Sequence, residues 1–172
     1  VSHAGGLYWQ LNVPGRSRSP GARWSGDTLE GVSAIEKLPV VIDALLDLEN
    51  LYNSKASDDP MEKGRAAFSM VIGRVSGGHY ETVSASEVVL RGGAYFSPVT
   101  GDIHEIMASM SAVIDEANDK DDFLRDNPAR LQFLHHDDAV RQSQQIPLAV
   151  ALCHALQERN ASSNVVAGPF AC

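Results

Sequence analysis

Residues 68–78 read Phe68-Ser-Met-Val-Ile-Gly-Arg-Val-Ser-Gly-Gly78, and residues 88–98 read Val88-Val-Leu-Arg-Gly-Gly-Ala-Tyr-Phe-Ser-Pro98. In the first run Phe68, Met70 and Ile72 alternate with smaller or polar residues. In the second, Val88, Leu90, Ala94 and Phe96 fall on one face, with Val89, Arg91 and Tyr95 on the other. Alternation at period two marks a half-buried strand. Gly77-Gly78 ends the first strand. Pro98 ends the second, because proline cannot donate to a ladder. Two strands with one apolar face need a cover.

The flanks supply it. Upstream, Ile35, Leu38, Val41, Ile42, Leu45, Leu48 and Tyr52 follow helical spacing, which makes one apolar stripe. Ser33 with Glu36 fits a capping box. Pro39 predicts a kink, or a regular helix that starts close to it. Downstream, Thr100 is placed to cap a second helix, and Asp102 favours its positive end. Ile103, Ile106, Met107, Met110, Val113, Ile114 and Ala117 form its stripe, and the acidic run 119–122 is expected to face water. Asn127-Pro128 breaks the pattern, and 130–134 reads as a short strand.

The order is therefore helix, strand, strand, helix, strand. A strand before the first helix would complete a split βαβ arrangement, with two helices on one face of an antiparallel sheet. Only residues 1–3 are read as part of such a strand. Leu7-Tyr-Trp-Gln-Leu11 packs locally or continues it, and 7–28 is taken as a loop insertion. Residues 13–23 are turn-rich and basic, a solvated loop or one that meets an anion. Pro147 to Arg159 reads as a third helix with Leu148, Ala151, Leu152, Ala155 and Leu156 on one side. The fold class expected is α+β, with residues 1–140 one domain and 141–172 the start of another.

Composition narrows the functions. The chain of 172 residues is 44% hydrophobic and 21% charged, and its 14 Lys and Arg face 22 Asp and Glu for a net charge of −8. That balance argues against a nucleic-acid partner. No apolar run approaches the roughly 18 residues of a membrane span. The start at Val1 rather than Met and the end at Cys172 in mid-pattern read as a fragment. Cys153 and Cys172 are expected to be reduced thiols in the cytoplasm, where the sequon at Asn160 has no role.

Few residues suggest chemistry alone. His135-His136-Asp137-Asp138 has metal-binding residue types, but adjacent side chains on extended backbone point opposite ways, and a surface turn is expected. His79 with Glu81 could share a face, His104 is expected to be solvated, and His154 to pack among apolar neighbours. No Cys pair has zinc spacing.

One set of segments resembles a known family. Ser2-His3-Ala-Gly-Gly6, then Glu30-Gly-Val-Ser-Ala-Ile-Glu-Lys37, Gly73-Arg-Val-Ser-Gly-Gly78 and Leu90-Arg-Gly-Gly-Ala-Tyr-Phe-Ser-Pro98 resemble, in order, the lid of the dinuclear-zinc aminoacylase and carboxypeptidase family. That family includes acetylornithine deacetylase and succinyl-diaminopimelate desuccinylase. Phe123–Pro128 also fits its larger deacylases, and Pro147 onward resembles the return into the catalytic domain. The resemblance implies a four-stranded antiparallel lid with two helices that mediates a homodimer. It implies a parent enzyme that cleaves an amide of an N-acyl amino acid or peptide-like substrate, with zinc held outside a stretch like this one.

In the family, a His-Ala-Gly segment closes the first lid strand. Its histidine holds the oxyanion in the neighbouring subunit's active site, a role the resemblance gives to His3. Substrate-carboxylate contacts fall by resemblance on Thr82, where the family often has Asn, and on Tyr95, where it often has Arg. Both can donate hydrogen bonds, and neither carries a positive charge. The rival reading is a stand-alone α+β interaction module without catalysis.

Overall fold

The computed structural model describes residues 2–56, 66–141, 147–158 and 169–170. A two-residue strand β1 (Ser2–His3) precedes the long strand β2 (Gly5–Pro14). A loop follows, carrying a single 3-10 turn and a small hairpin of β3 (Trp24–Ser25) and β4 (Thr28–Leu29). A second 3-10 turn (Ala34–Lys37) feeds helix α1 (Leu38–Ala56). Strands β5 (Phe68–Gly77) and β6 (Glu87–Phe96) come next, then α2 (Ile103–Lys120), the short α3 (Asp122–Asp126) and β7 (Arg130–Asp137). Beyond them lie β8 (Val140–Arg141), α4 (Pro147–Glu158) and β9 (Pro169–Phe170). The Asp58-Asp59-Pro60 connection, the sequon at Asn160 and Cys172 lie outside the described residues.

The main sheet is antiparallel, in the order β5-β6-β2-β7. One face carries Leu7, Trp9, Leu11, Val13, Phe68, Leu90 and Phe96 into a core shared with Val41 and Leu45 of α1 and Ile106, Met110 and Ile114 of α2. The opposite face is polar: Arg91 donates to Gln10 Oε1 at 2.8 Å, and Gln10 donates to Asn12 Oδ1 at 2.8 Å. Both helices therefore cover a single face, the usual economy of an antiparallel sheet. The fold is mixed α+β, as expected.

The largest correction is β2. The segment read as the beginning of a loop insertion is a central strand, and Trp9, Leu11 and Val13 are completely buried. Only 15–31 is loop, and it is tied down. Arg16 exchanges backbone hydrogen bonds with Val32, and its guanidinium donates to the carbonyls of Leu29 and Glu30.

The hairpin ends as the glycines predict: Gly78 adopts φ +77, open to glycine at little cost. Pro39 falls in the first turn of α1, where its missing N–H is unneeded. The caps differ from expectation. Ser33 makes no side-chain cap, and its Oγ accepts from the Ala85 N–H at 3.3 Å. Asp102, not Thr100, caps α2 through the Glu105 N–H, while Thr100 donates to the Ala67 carbonyl. In α4, Leu148, Ala151, Ala155 and also His154 are exposed, so the third stripe and its packing histidine are not covered by the described residues.

Asp121, read as part of a solvated acidic run, is a structural junction. It accepts from the N–H groups of Phe123 and Leu124 at 3.0 Å each and pairs with Lys37 at 2.8 Å. Burial pushes its carboxyl up. The Lys37 hydrogen bond and charge and the two backbone donors outweigh that, holding it below the usual carboxylate range. A depressed carboxylate stabilises the fold above its unfolded value near 3.8, and that contribution fades as pH falls through the lower folded value. Asp121→Ala is expected to cost about 1–2 kcal/mol at neutral pH through the lost cap. The variant should also lose less stability than the parent on acidification to pH 2, as read by urea midpoints. An equal loss would remove Asp121 as the source.

Candidate functional site

The two ends of the sheet carry different chemistry. At one end, Gly6 lies opposite Tyr95 and Tyr8 opposite Gly93. Each tyrosine ring lies across its glycine partner: a Cβ on Gly6 or Gly93 would sit 3.5 Å from the facing ring. Hydrogen bonding to Tyr8 pushes the Tyr95 phenol above the usual tyrosine range. The Tyr8 ring is 6.1 Å from His135, whose Nε2 meets Asp137 Oδ2 at 2.9 Å. His136 points to the other face, with its ring 6.2 Å from His104. The two adjacent histidines thus diverge, as extended backbone requires, although they lie in β7 rather than in a turn.

His3 belongs to this end. It is exposed, pairs with Val140 and Phe170, and stands three residue steps from Gly6. It ends the two-residue β1 and precedes the start of β2 at Gly5. Among the described residues no group of three or more His, Cys, Asp or Glu could hold a metal ion.

Thr82 sits at the opposite end, in the β5–β6 connection. The steps from Glu87 to Tyr95 along β6 span roughly 26 Å at strand rise. Thr82 and Tyr95 therefore cannot grip one small carboxylate within a single chain. Thr82 lines a cavity of about 360 Å³ together with Arg18, Arg23, Glu36, Tyr80 and Glu81. Here the closing end of β2 meets the hairpin tip: the Arg18 N–H donates to Ser84 Oγ at 2.8 Å, and the Ser84 N–H donates to the Arg18 carbonyl at 2.9 Å. His79 and Glu81 are both exposed on the same tip.

With this geometry, comparison with known structures is informative. The fold matches a tripeptidase from Staphylococcus aureus at TM-score 0.57 and 15% identity, over 99% of this chain and 39% of that one. It matches the aminopeptidase PepT from Bacillus cereus at 0.57 and 12%, over 99% and 38%. An amidase of the hydantoinase/carbamoylase family from Burkholderia multivorans matches at 0.56 and 14%, over 92% and 33%. Its structural neighbours are hydrolases. The chain spans less than two-fifths of the length of each. No family model matches the sequence, and no curated protein sequence does either.

The resemblance named Thr82 and Tyr95; the structure sets Arg18 beside Thr82 in the same cavity lining. The basic loop had been noticed, yet nothing local says that residue 18 returns to residue 84. The available signal was the alternation of Leu7, Trp9, Leu11 and Val13, which makes Pro14-Gly15 the end of a strand and 16–18 its exit.

Proposed function

We propose that the chain is the lid and dimerisation part of a zinc-dependent amide hydrolase acting on an N-acyl amino acid or peptide-like substrate. The observation that carries this reading is the coincidence of motif order with fold. Gly31–Lys37 opens α1, Gly73–Gly78 closes β5, and Leu90–Pro98 closes β6, inside a fold shared with parts of a tripeptidase and an amidase. In this reading the lid is the split βαβ type, and α4 returns towards a catalytic domain that would cover its exposed apolar residues. Zinc enters by resemblance only.

The lid presents an open edge. Among the described residues β5 has β6 as its single partner, and Val71 and Val75 on it are more than half exposed. An unprotected strand edge is a template for pairing. Antiparallel pairing of β5 with β5 of a second copy would set the Thr82 end of one lid beside the Tyr95 and His3 end of the other. Groups separated along one chain would then meet across the dimer, His3 facing the negative charge that develops on the scissile carbonyl oxygen and Thr82 the remainder of the substrate.

The direct test assays the intact protein that carries this chain against N-acyl amino acids, with and without a zinc chelator. Chelator-sensitive hydrolysis is the expected result, and absence of any hydrolysis would favour the stand-alone interaction module. For the edge, sedimentation should show a dimer. Val71→Lys combined with Val75→Lys should yield a folded monomer with activity lowered at least about a hundredfold, since each site would lose its donor from the neighbour. A variant that stays dimeric would remove β5 from the interface.

A further inference from the structure

We propose that the valley between α1 and α2 docks a basic amphipathic helix of a partner protein. The valley lies on the outer side of the helix pair. The inference does not depend on the hydrolase reading.

The two helices run antiparallel and are tied at both ends. Lys37, just before α1, meets Asp121, just past α2, at 2.8 Å. Tyr52, near the end of α1, donates to Ser109 Oγ of α2 at 2.9 Å. Between these ties lies a cavity of about 430 Å³, with Val40, Ala44, Leu48, Leu51, Val113 and Ala117 as its apolar lining. The small side chains of Ala44 and Ala117 keep the floor low. Leu51 stands 48% exposed on one wall. From Val40 to Leu51 helix α1 advances roughly 16 Å, about three turns. That is the length over which a docked helix sets apolar anchors at i, i+3 or i+4, and i+7. An exposed apolar strip rimmed by polar groups is the mark of an interaction surface.

The rim decides the occupant. Asp43 and Asp47 stand one turn apart on α1, with Glu116 and Lys120 on α2. Lys120 is taken up by Glu116 at 2.7 Å. Among the described residues Asp43 and Asp47 have no ion-pair partner. The rim therefore offers two carboxylates about 6 Å apart along the helix axis, a spacing matched by Lys or Arg at i and i+4 of the docked helix. The same charge argues against other occupants. A second copy would set Asp43 and Asp47 against their own kind, in a chain of net charge −8. An anionic membrane surface would be repelled likewise. The chain's own α4 carries no Lys or Arg over Pro147–Glu158.

The test follows fluorescence anisotropy of a labelled Leu/Lys peptide of about four turns, its leucines on one face, titrated with the intact protein. A peptide of the same composition with its leucines scattered is the control. Saturable one-to-one binding is expected, with the scattered peptide at least about tenfold weaker because it has no apolar stripe. Asp43→Asn combined with Asp47→Asn should weaken binding about three- to tenfold, in line with two surface pairs. Asp27→Asn combined with Glu87→Gln makes the same charge change at exposed positions off the helix pair, and should leave binding unchanged. Ala44→Gln fills the valley and should weaken binding further. Leu51→Ser removes an exposed wall and gives the same reading if Ala44→Gln disturbs folding. Equal binding of the two peptides, or equal weakening by the two charge-neutralising pairs, reduces the effect to general attraction for a basic molecule and overturns the proposal. Absence of binding also overturns it, and a dimer lost on Ala44→Gln would then assign the valley to a second copy.

Discussion

Trp9→Ala is expected to cost about 3–5 kcal/mol of folding stability, the range for removing a large aromatic from a tight core. Trp9 is completely buried on the central strand β2, between Gly92 of β6 and Phe133 of β7. Its ring fills the space above Gly92, where an added Cβ would come within 2.4 Å of Trp9 Cζ2. The neighbouring backbone is equally close, so the sheet cannot collapse into the hole. A domain of this kind has roughly 5–15 kcal/mol in hand, and the variant should be marginal. Urea unfolding followed by circular dichroism should show a lowered midpoint with an unchanged slope. A loss under about 1 kcal/mol is what a surface position gives, and it would return residues 7–14 to the solvated loop that composition suggested.

If the chain is the lid of an amide hydrolase as proposed, with His3 donating to the oxyanion, His3→Ala in the intact protein is expected to lower turnover roughly a hundred- to a thousandfold, the cost of losing one such donor. The effect should fall on kcat, because the charge His3 meets develops only in the transition state. Stability and dimerisation should hardly change, since His3 is exposed and contributes only strand-end pairing. His3 lies just before β2, at the end of the sheet away from Thr82, so it can reach the cavity of Thr82 only from a neighbouring lid. Unchanged turnover would make His3 a surface residue.

How much of this was legible depended on how local each signal was. The hairpin was readable because Phe68, Met70, Val88 and Leu90 alternate and Gly78 supplies the one positive φ its tip needs. Helix α2 was readable because Ile103, Ile106, Met110 and Ile114 make a clean stripe. β2 was missed because its alternation ends in Pro14-Gly15 and runs straight into the turn-rich segment 15–23, which coloured the reading of its neighbours. The caps were missed for a related reason. Asp, Ser and Thr all cap helices, and only the register of the first turn separates Asp102 from Thr100. Asp121 looked solvated because its partner, Lys37, is 84 residues away. The candidate site was half legible. Thr82 and Tyr95 came from the family resemblance, but their placement towards opposite ends of the hairpin, and the return of Arg18 to Ser84, are long-range facts that no window of sequence contains.

A subunit-mixing experiment tests the shared site most directly. His3→Ala and a variant lacking a zinc ligand of the proposed catalytic domain are each prepared in the intact protein, then unfolded together and refolded as a mixture. If His3 acts across the dimer at the neighbouring subunit's zinc site, a hybrid contains one site with both groups intact and one with neither. Random pairing makes about half of the dimers hybrids, so the mixture should recover about a quarter of wild-type turnover under conditions where each variant alone is nearly inactive. If both groups serve the site of their own chain, no hybrid holds an intact site. Activity no greater than the sum of the separate variants would contradict the account.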